Sequence, residues 1–275
     1  MNAHALNLAR IAHMTLRIAG VTVLGFFIFG PLASVAIWSV ALQWYWPHAL
    51  PQEVGLRYWV DAFSGRSSVW SALTTSLWVA VIVVACALAL SVPAGYAFAR
   101  FRIPLGRLLL VLFLMPKAFP QLPIFINLAE VFYRYNLAGT VPGVILVHLI
   151  ASLVYAVWIT TATFRSVPVE LEEAAINLGD SRLKAFFRIT LPLALPGIIA
   201  SSIFVFLHSL DEFTGTFLVG APYVQTLPVL MYTASMGYNM QMASVIAILL
   251  TIPAVVFMAI LERFLRAEYI GRLGV

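Results

Sequence analysis

Residues 170–197 read ELEEAAINLGDSRLKAFFRITLPLALPG, a polar stretch that runs directly into an apolar one. Its local chemistry is that of a helix, a tight turn and a second helix. Pro168 suits the first helical turn, where a missing N–H costs nothing. Glu170, Glu172 and Glu173 then place negative charge at the positive end of the helix dipole. Gly179 stops the helix as a C′ glycine does. Asp180 or Ser181 can cap the next turn, which carries Arg182, Lys184 and Arg188 before Pro192 opens a long apolar run. Ala175 and Gly179, four residues apart, are expected to share one face nearly free of side chains, where another protein can approach closely.

Outward from this stretch the chain is apolar almost throughout. Of its 275 residues 62% are hydrophobic and 10% are charged, whereas soluble domains devote about 25% to charge. Most of the chain therefore needs a non-aqueous solvent. A membrane span needs about 20 mainly apolar residues, and six runs meet that: 18–42, 70–92, 108–128, 141–163, 192–219 and 243–265. The expected fold is all-α, a single polytopic unit over 1–275, with the polar loop 164–191 between the fourth and fifth helices. The third run is interrupted by Pro116, Pro120 and Pro123, which suits either a kink or a broken helix. The first run, preceded by Arg10 and Arg17, is too long for a signal-peptide core and is read as a span.

The formal charge of +5 encodes topology and does not point to nucleic acid. Basic residues stay on the cytoplasmic side of short loops. Twelve of the 16 Lys and Arg fall in the N-terminus, the second-to-third loop, the 164–191 loop and the C-terminus. They are Arg10, Arg17, Arg100, Arg102, Arg107, Arg165, Arg182, Lys184, Arg188, Arg263, Arg266 and Arg272. Arg57, Arg66 and Arg134 occupy the opposite loops, and Lys117 lies within the third run. A six-span count puts all four basic segments on one side, with both termini cytoplasmic; five or seven would scatter them.

Glu173-Ala174-Ala175, Gly179 after three residues, Ile189 after nine and Leu191-Pro192 after one more resemble the EAA loop of permeases in binding-protein-dependent ABC importers. The resemblance extends over about 70–263. It implies that the loop helix is a coupling helix docking in a cytoplasmic ATPase. It also implies a second permease, identical or homologous, two ATPase subunits inside, and a solute-binding protein outside the inner membrane. ATP and Mg²⁺ would be used by the partner, with no cofactor on this chain. The chain itself has no GxxxxGK[ST] phosphate loop, GxSxG or HExxH motif, so no enzymatic activity is expected of it. The segment HSLDEFTGTFLVGAPYVQTLPVLMY, 208–232, resembles polyamine-type permeases, while LMPKAFPQLPIF, 114–125, resembles the sugar branch, whose members carry a Trp-Asn pair near the place of Asp211-Glu212. The solute expected is a polyamine or similar small cationic or organic molecule; a sugar-type or phosphonate-type solute is the alternative. An ion-gradient-driven transporter is the competing class, but such proteins are built from repeats that this sequence lacks.

Ionisable residues inside spans are costly and face a cavity or a partner. Asp211, Glu212, His208 and Lys117 are the candidates for a solute path. Two readings stand: Asp211 or Glu212 lines the path and offers carboxylate oxygens to a cationic solute, or one carboxylate pairs with Lys117 and fixes packing or lies near enough to the interface to be wet. His208 and His148 read as packed histidines, with no partner at metal-ligand spacing. Met231, Met236, Met240 and Met242 suit an adaptable external surface or ordinary packing. The lone Cys86 excludes an intrachain disulfide.

Overall fold

The computed structural model describes residues 3–65 and 67–272, with side chains for 13–65, 67–260 and 263. Among the basic residues that orient the chain, Arg66 lies outside the described residues, and the side chains of Arg10, Arg266 and Arg272 lie outside the described side chains.

Among the described residues, the regular structure is helical apart from one small hairpin. The first helix is α1 (Ala3–Val40); β1 (Ala41–Gln43) and β2 (Glu53–Val54) pair antiparallel after it, followed by a short α2 (Arg57–Phe63). The second run forms α3 (Ser68–Arg100), capped by the Ser67 hydroxyl, which accepts from the Val69 N–H. The fourth forms α6 (Val141–Ser166), capped in the same way by Thr140. Between α6 and the fifth run lie α7 (Val169–Asn177), α8 (Arg182–Ala185) and a π-helical turn (Phe186–Thr190) that leads without a break into α9 (Leu191–Leu210). The last long helix is α12 (Met240–Arg272).

Among the described residues, five helices are long and apolar enough to cross a membrane, and the count is six if the bent pair formed by the third run is one span. The third run does not form a continuous one. It divides into α4 (Gly106–Ala118) and α5 (Gln121–Arg134), which meet at 97°. At about 1.5 Å per residue, the 13 residues of α4 fall short of the roughly 30 Å bilayer core. The break comes at Pro120, because a proline disfavours helical geometry in the residue before it; Phe119 is extended, with ψ 152°. The third run thus takes the broken form, and it is the fifth run that departs from expectation. The helix stops at Leu210, the chain turns through Asp211–Phe213, and only a short α10 (Thr214–Val219) follows. An apolar α11 (Leu227–Met236) then precedes α12.

The centre of the bundle is α3, α6 and α9. Val79, Val83 and Ala87 of α3 pack with Val144 and Ala156 of α6 and Val205 of α9, all essentially buried. Without a hydrophobic driving force between helices in lipid, small residues that permit close approach take over. Gly95 of α3 lies directly against Thr160 and Thr161 of α6, and Gly197 of α9 lies against Thr163. The Thr160 hydroxyl donates to the Ser91 carbonyl across the α3–α6 contact at 2.9 Å. At one end of this trio, Phe164, Val167, Ala194 and Ile198 form a second cluster with Tyr96 and Phe186 beneath α7. At the other end, Phe125, Phe132, Val147 and Val219 join α5 and α10 to α6. α1 packs on α12 and α2 at the periphery and presents Phe26, Phe27 and Phe29 outward.

Candidate functional site

The loop helix α7 is built much as its chemistry dictates. Pro168 occupies the N-cap position and the helix begins at Val169. At its far end Gly179 adopts φ +99°. Its N–H donates to the Ile176 carbonyl at 3.0 Å, and the Asp180 N–H donates to Ala175 at 3.1 Å. Those two bonds are a Schellman closure. Ser181, not Asp180, caps α8, its hydroxyl accepting from the Lys184 N–H. Asp180 instead forms ion pairs with Lys184 and Arg188.

The expected smooth face is not where spacing places it. Ala175 is buried against its own chain, while Glu173, Ala174 and Gly179 are exposed. The helix ends at Asn177, so Gly179 is already in the turn and the four-residue helical spacing does not apply to it. The outward surface is formed by Leu171, Ala174 and Leu178, the last 91% exposed. Ile189 lies half-buried in the π turn, Leu191 is half-buried at the start of α9, and Pro192 is exposed beside it.

The inward face carries a residue that spacing did not single out. Glu172 is 6% exposed. Its carboxylate accepts from the Tyr96 hydroxyl, from Arg100 Nε at 3.1 Å and from the Thr190 hydroxyl at 3.0 Å. Arg100 also donates through Nη1 to the Phe164 carbonyl and through Nη2 to the Val167 carbonyl, each at 2.9 Å. Burial pushes the Glu172 carboxyl up, but the bonds from Tyr96, Arg100 and Thr190, with the Arg100 charge, hold it below the ordinary carboxylate value. The sequence held only a faint sign of this: Tyr96 and Arg100 are four apart, on one face of α3.

The second candidate group surrounds the break after α9. Glu212 is 5% exposed and turned to the backbone: its Oε1 accepts from the Gly215 N–H in the first turn of α10 at 2.8 Å. His148, 1% exposed, is packed as expected, between the Ser209 hydroxyl at 2.8 Å and the Thr216 hydroxyl at 2.7 Å. It therefore clamps both sides of the break to α6. Lys117 Nζ lies 3.4 Å from His208 Nε2 and 4.7 Å from the centre of the Tyr155 ring. Among the described residues, Lys117 forms no ion pair with Asp211 or Glu212, and Asp211 is exposed. Asp211 instead stands on the shared wall of three cavities of about 430, 390 and 470 Å³. Phe213, Tyr232 and Ser244 line the first with it, Met231 and Thr251 the second, and His208 and Phe204 the third. Among the described residues, no group of three His, Cys, Asp or Glu is placed to hold a metal.

Residues 87–267 match the family described as the binding-protein-dependent transport system inner membrane component. The chain belongs to that family. It is a multi-pass permease subunit of an ABC transport system, and ATP hydrolysis belongs to the partner ATPase. Among its relatives, the trehalose transport system permease protein SugB of Mycobacterium tuberculosis is 32% identical over 198 residues, 70% of this chain and 72% of that protein. The sulfoquinovosyl glycerol transport system permease protein SmoH of Agrobacterium fabrum is 30% identical over 203 residues, 74% and 70% of the two chains. In fold, the chain is similar to a subunit of a bacterial ABC transporter involved in importing the acidic polysaccharide alginate. The TM-score is 0.69 at 15% identity, covering 96% of this chain and 98% of that one.

Proposed function

We propose that this permease subunit conducts a hydroxyl-rich, sugar-type solute past Asp211. The observation that carries the reading is the Asp211 carboxylate, without an ion-pair partner among the described residues, on the common wall of three cavities beside Phe213 and Tyr232. A carboxylate accepts hydrogen bonds from hydroxyl groups, and aromatic faces present a flat apolar surface to a sugar ring. A polyamine carries several charges and would call for several carboxylates. Glu212 is committed to the Gly215 N–H, and Lys117 adds positive charge nearby. Two relatives are named for the transport of trehalose and of sulfoquinovosyl glycerol, which supports the sugar alternative over the polyamine expectation.

In this reading α7 lies on the cytoplasmic side, with both termini, and its outward face of Leu171, Ala174 and Leu178 docks on the ATPase. A second permease completes the pathway, two ATPase subunits use ATP and Mg²⁺, and a solute-binding protein delivers from outside. The test is uptake of trehalose, putrescine and 2-aminoethylphosphonate by the transporter reconstituted with its ATPase and binding protein. Trehalose-class uptake is expected, falling about tenfold or more in Asp211→Asn, because hydrogen bonds to charged groups contribute roughly 1.5–3 kcal/mol. Uptake of putrescine alone, or an unchanged rate and KM in Asp211→Asn, would overturn it.

A further inference from the structure

The geometry points to the Arg100–Glu172 pair as the strut that makes α7 move as one body with α3, α6 and α9. α7 is joined covalently to α6 through 167–168 and to α9 through 178–190, and a loop of that kind can swing. Its packing as a helix is chiefly with α8 and the π turn, which are parts of the same loop. The polar contacts that reach from α7 into the membrane helices converge on one carboxylate. Through it, Tyr96 and Arg100 bring in the end of α3, and Thr190 brings in the turn that opens α9. The other two arms of the same guanidinium hold the Phe164 and Val167 carbonyls at the end of α6. These are carbonyls a helix C-terminus leaves without intrahelical partners. Four segments therefore meet at a single ion pair whose side chains are 10% and 8% exposed.

Residue type matters as much as charge. Only a planar guanidinium presents donors in a fixed fork that spans two carbonyls and a carboxylate at once; a lysine ammonium cannot. A docking surface needs none of this: Leu171, Ala174 and Leu178 face away from the pair. Glu172 and Arg100 are thus positioning residues. They do not touch the ATPase; they deliver its displacement of α7 to three membrane helices together. This rests on α7 being the helix that docks on the ATPase.

The experiment measures a distance and requires no solute. Spin labels are placed at the exposed positions 177 and 102 in a Cys86→Ala background of the transporter assembled with its ATPase. The Asn177–Arg102 distance is recorded without nucleotide and after trapping with ATP and vanadate. A strut keeps it constant, with a shift below about 2 Å, the size of ordinary helix adjustments at interfaces. Glu172→Gln and Arg100→Lys should each broaden the distribution and make it nucleotide-dependent, with the ATPase still co-purifying. A larger shift in the unmodified pair overturns the strut, and so does an unchanged narrow distribution in both variants. If those variants do not assemble, Tyr96→Phe keeps the ion pair, removes one donor, and is expected to broaden the distribution partially; no broadening overturns the strut. Failure of the docking reading is seen separately: Leu178→Arg would leave ATPase co-purification unchanged.

Discussion

Gly95 stands at the tightest part of the α3–α6 contact, so adding one methyl group there has a calculable effect. An ideal Cβ at position 95 would meet the Thr160 side chain, with the Thr160 Cβ at 2.8 Å, and the Thr161 backbone nitrogen at 2.8 Å. A rotamer change cannot relieve the backbone contact. Thr160 is fully buried, and its hydroxyl is committed to the Ser91 and Ala156 carbonyls. Gly95→Ala gains about 1 kcal/mol of helix propensity. Against this, overpacking a well-packed site costs about 1–3 kcal/mol, and weakening an interhelical hydrogen bond in a membrane protein costs about 0.6 kcal/mol. The net loss is about 1–2 kcal/mol. Gly25 is the control, because a Cβ there meets nothing within 4 Å, and Gly25→Ala should keep the propensity gain. The lone Cys86, half-buried on α3 itself, allows a thiol-reactive dye to follow thermal unfolding in detergent. At roughly 2–4 °C per kcal/mol for a chain of this order of size, Gly95→Ala should melt several degrees below the parent and Gly25→Ala at or above it. A Gly95→Ala protein that melts at or above the parent would refute the close approach of these helices.

Two further outcomes follow from the polar groups. Glu172 has a folded-state value below its ordinary 4.5, so its contribution is fully present above that pH and is lost as pH falls toward the folded value. Amide exchange in α7, corrected for intrinsic rates, should accelerate across that window in the parent and not in Glu172→Gln; parallel profiles would count against the assignment. His148→Leu removes the buried partner of the Ser209 and Thr216 hydroxyls; Thr216 keeps its bond to the Glu212 carbonyl, so the Ser209 hydroxyl is the group left unsatisfied, at about 1–3 kcal/mol. A melt several degrees below the parent is expected by the same thiol assay, and an unchanged melt would show that the clamp across the break contributes nothing.

The long spans were legible because α3, α6 and α12 carry apolar runs longer than a bilayer needs, and nothing inside them overrules hydropathy. The first break was legible only as one of two alternatives, a kink or a broken helix, and the second was not legible, because the residues that make them have other uses. Pro93, Pro196 and Pro253 lie inside continuous helices, so a proline alone does not mark an interruption; Pro120 does so at the bend between α4 and α5. Two carboxylates at 211–212 barely lower the mean hydropathy of a window that includes 192–210 and 213–219, so the fifth span read as unbroken. In the loop, capping chemistry located Gly179 correctly, but helical spacing was carried one turn too far, and Ala175 was assigned to the outer face. The Glu172 site was invisible for a different reason. Its partners lie 72 and 76 residues earlier and 18 later, and no local pattern encodes that meeting.

The two breaks and the proposed strut share α6 as their reference. At the loop end, α6 is tied to α3 and α7 through Arg100. Further along, Trp158 Nε1 of α6 donates to the Leu110 carbonyl of α4 at 2.9 Å, and His148 of α6 holds Ser209 and Thr216 on either side of the second break. A body of α3, α6 and α9, closely packed through glycines and threonines, resists internal shear, because packed cores are bistable and not continuously deformable. On the proposed coupling, displacement received at α7 would be absorbed where the backbone is not helical, and within the spans that means Phe119–Pro120 and Asp211–Phe213. Asp211 is both the residue at the second break and the shared wall of the three cavities. A change in the angle between α9 and α10 therefore moves its carboxylate relative to Phe213 and Tyr232. On the proposed function, the residue that meets solute is also the one that a push on the loop helix would displace most directly.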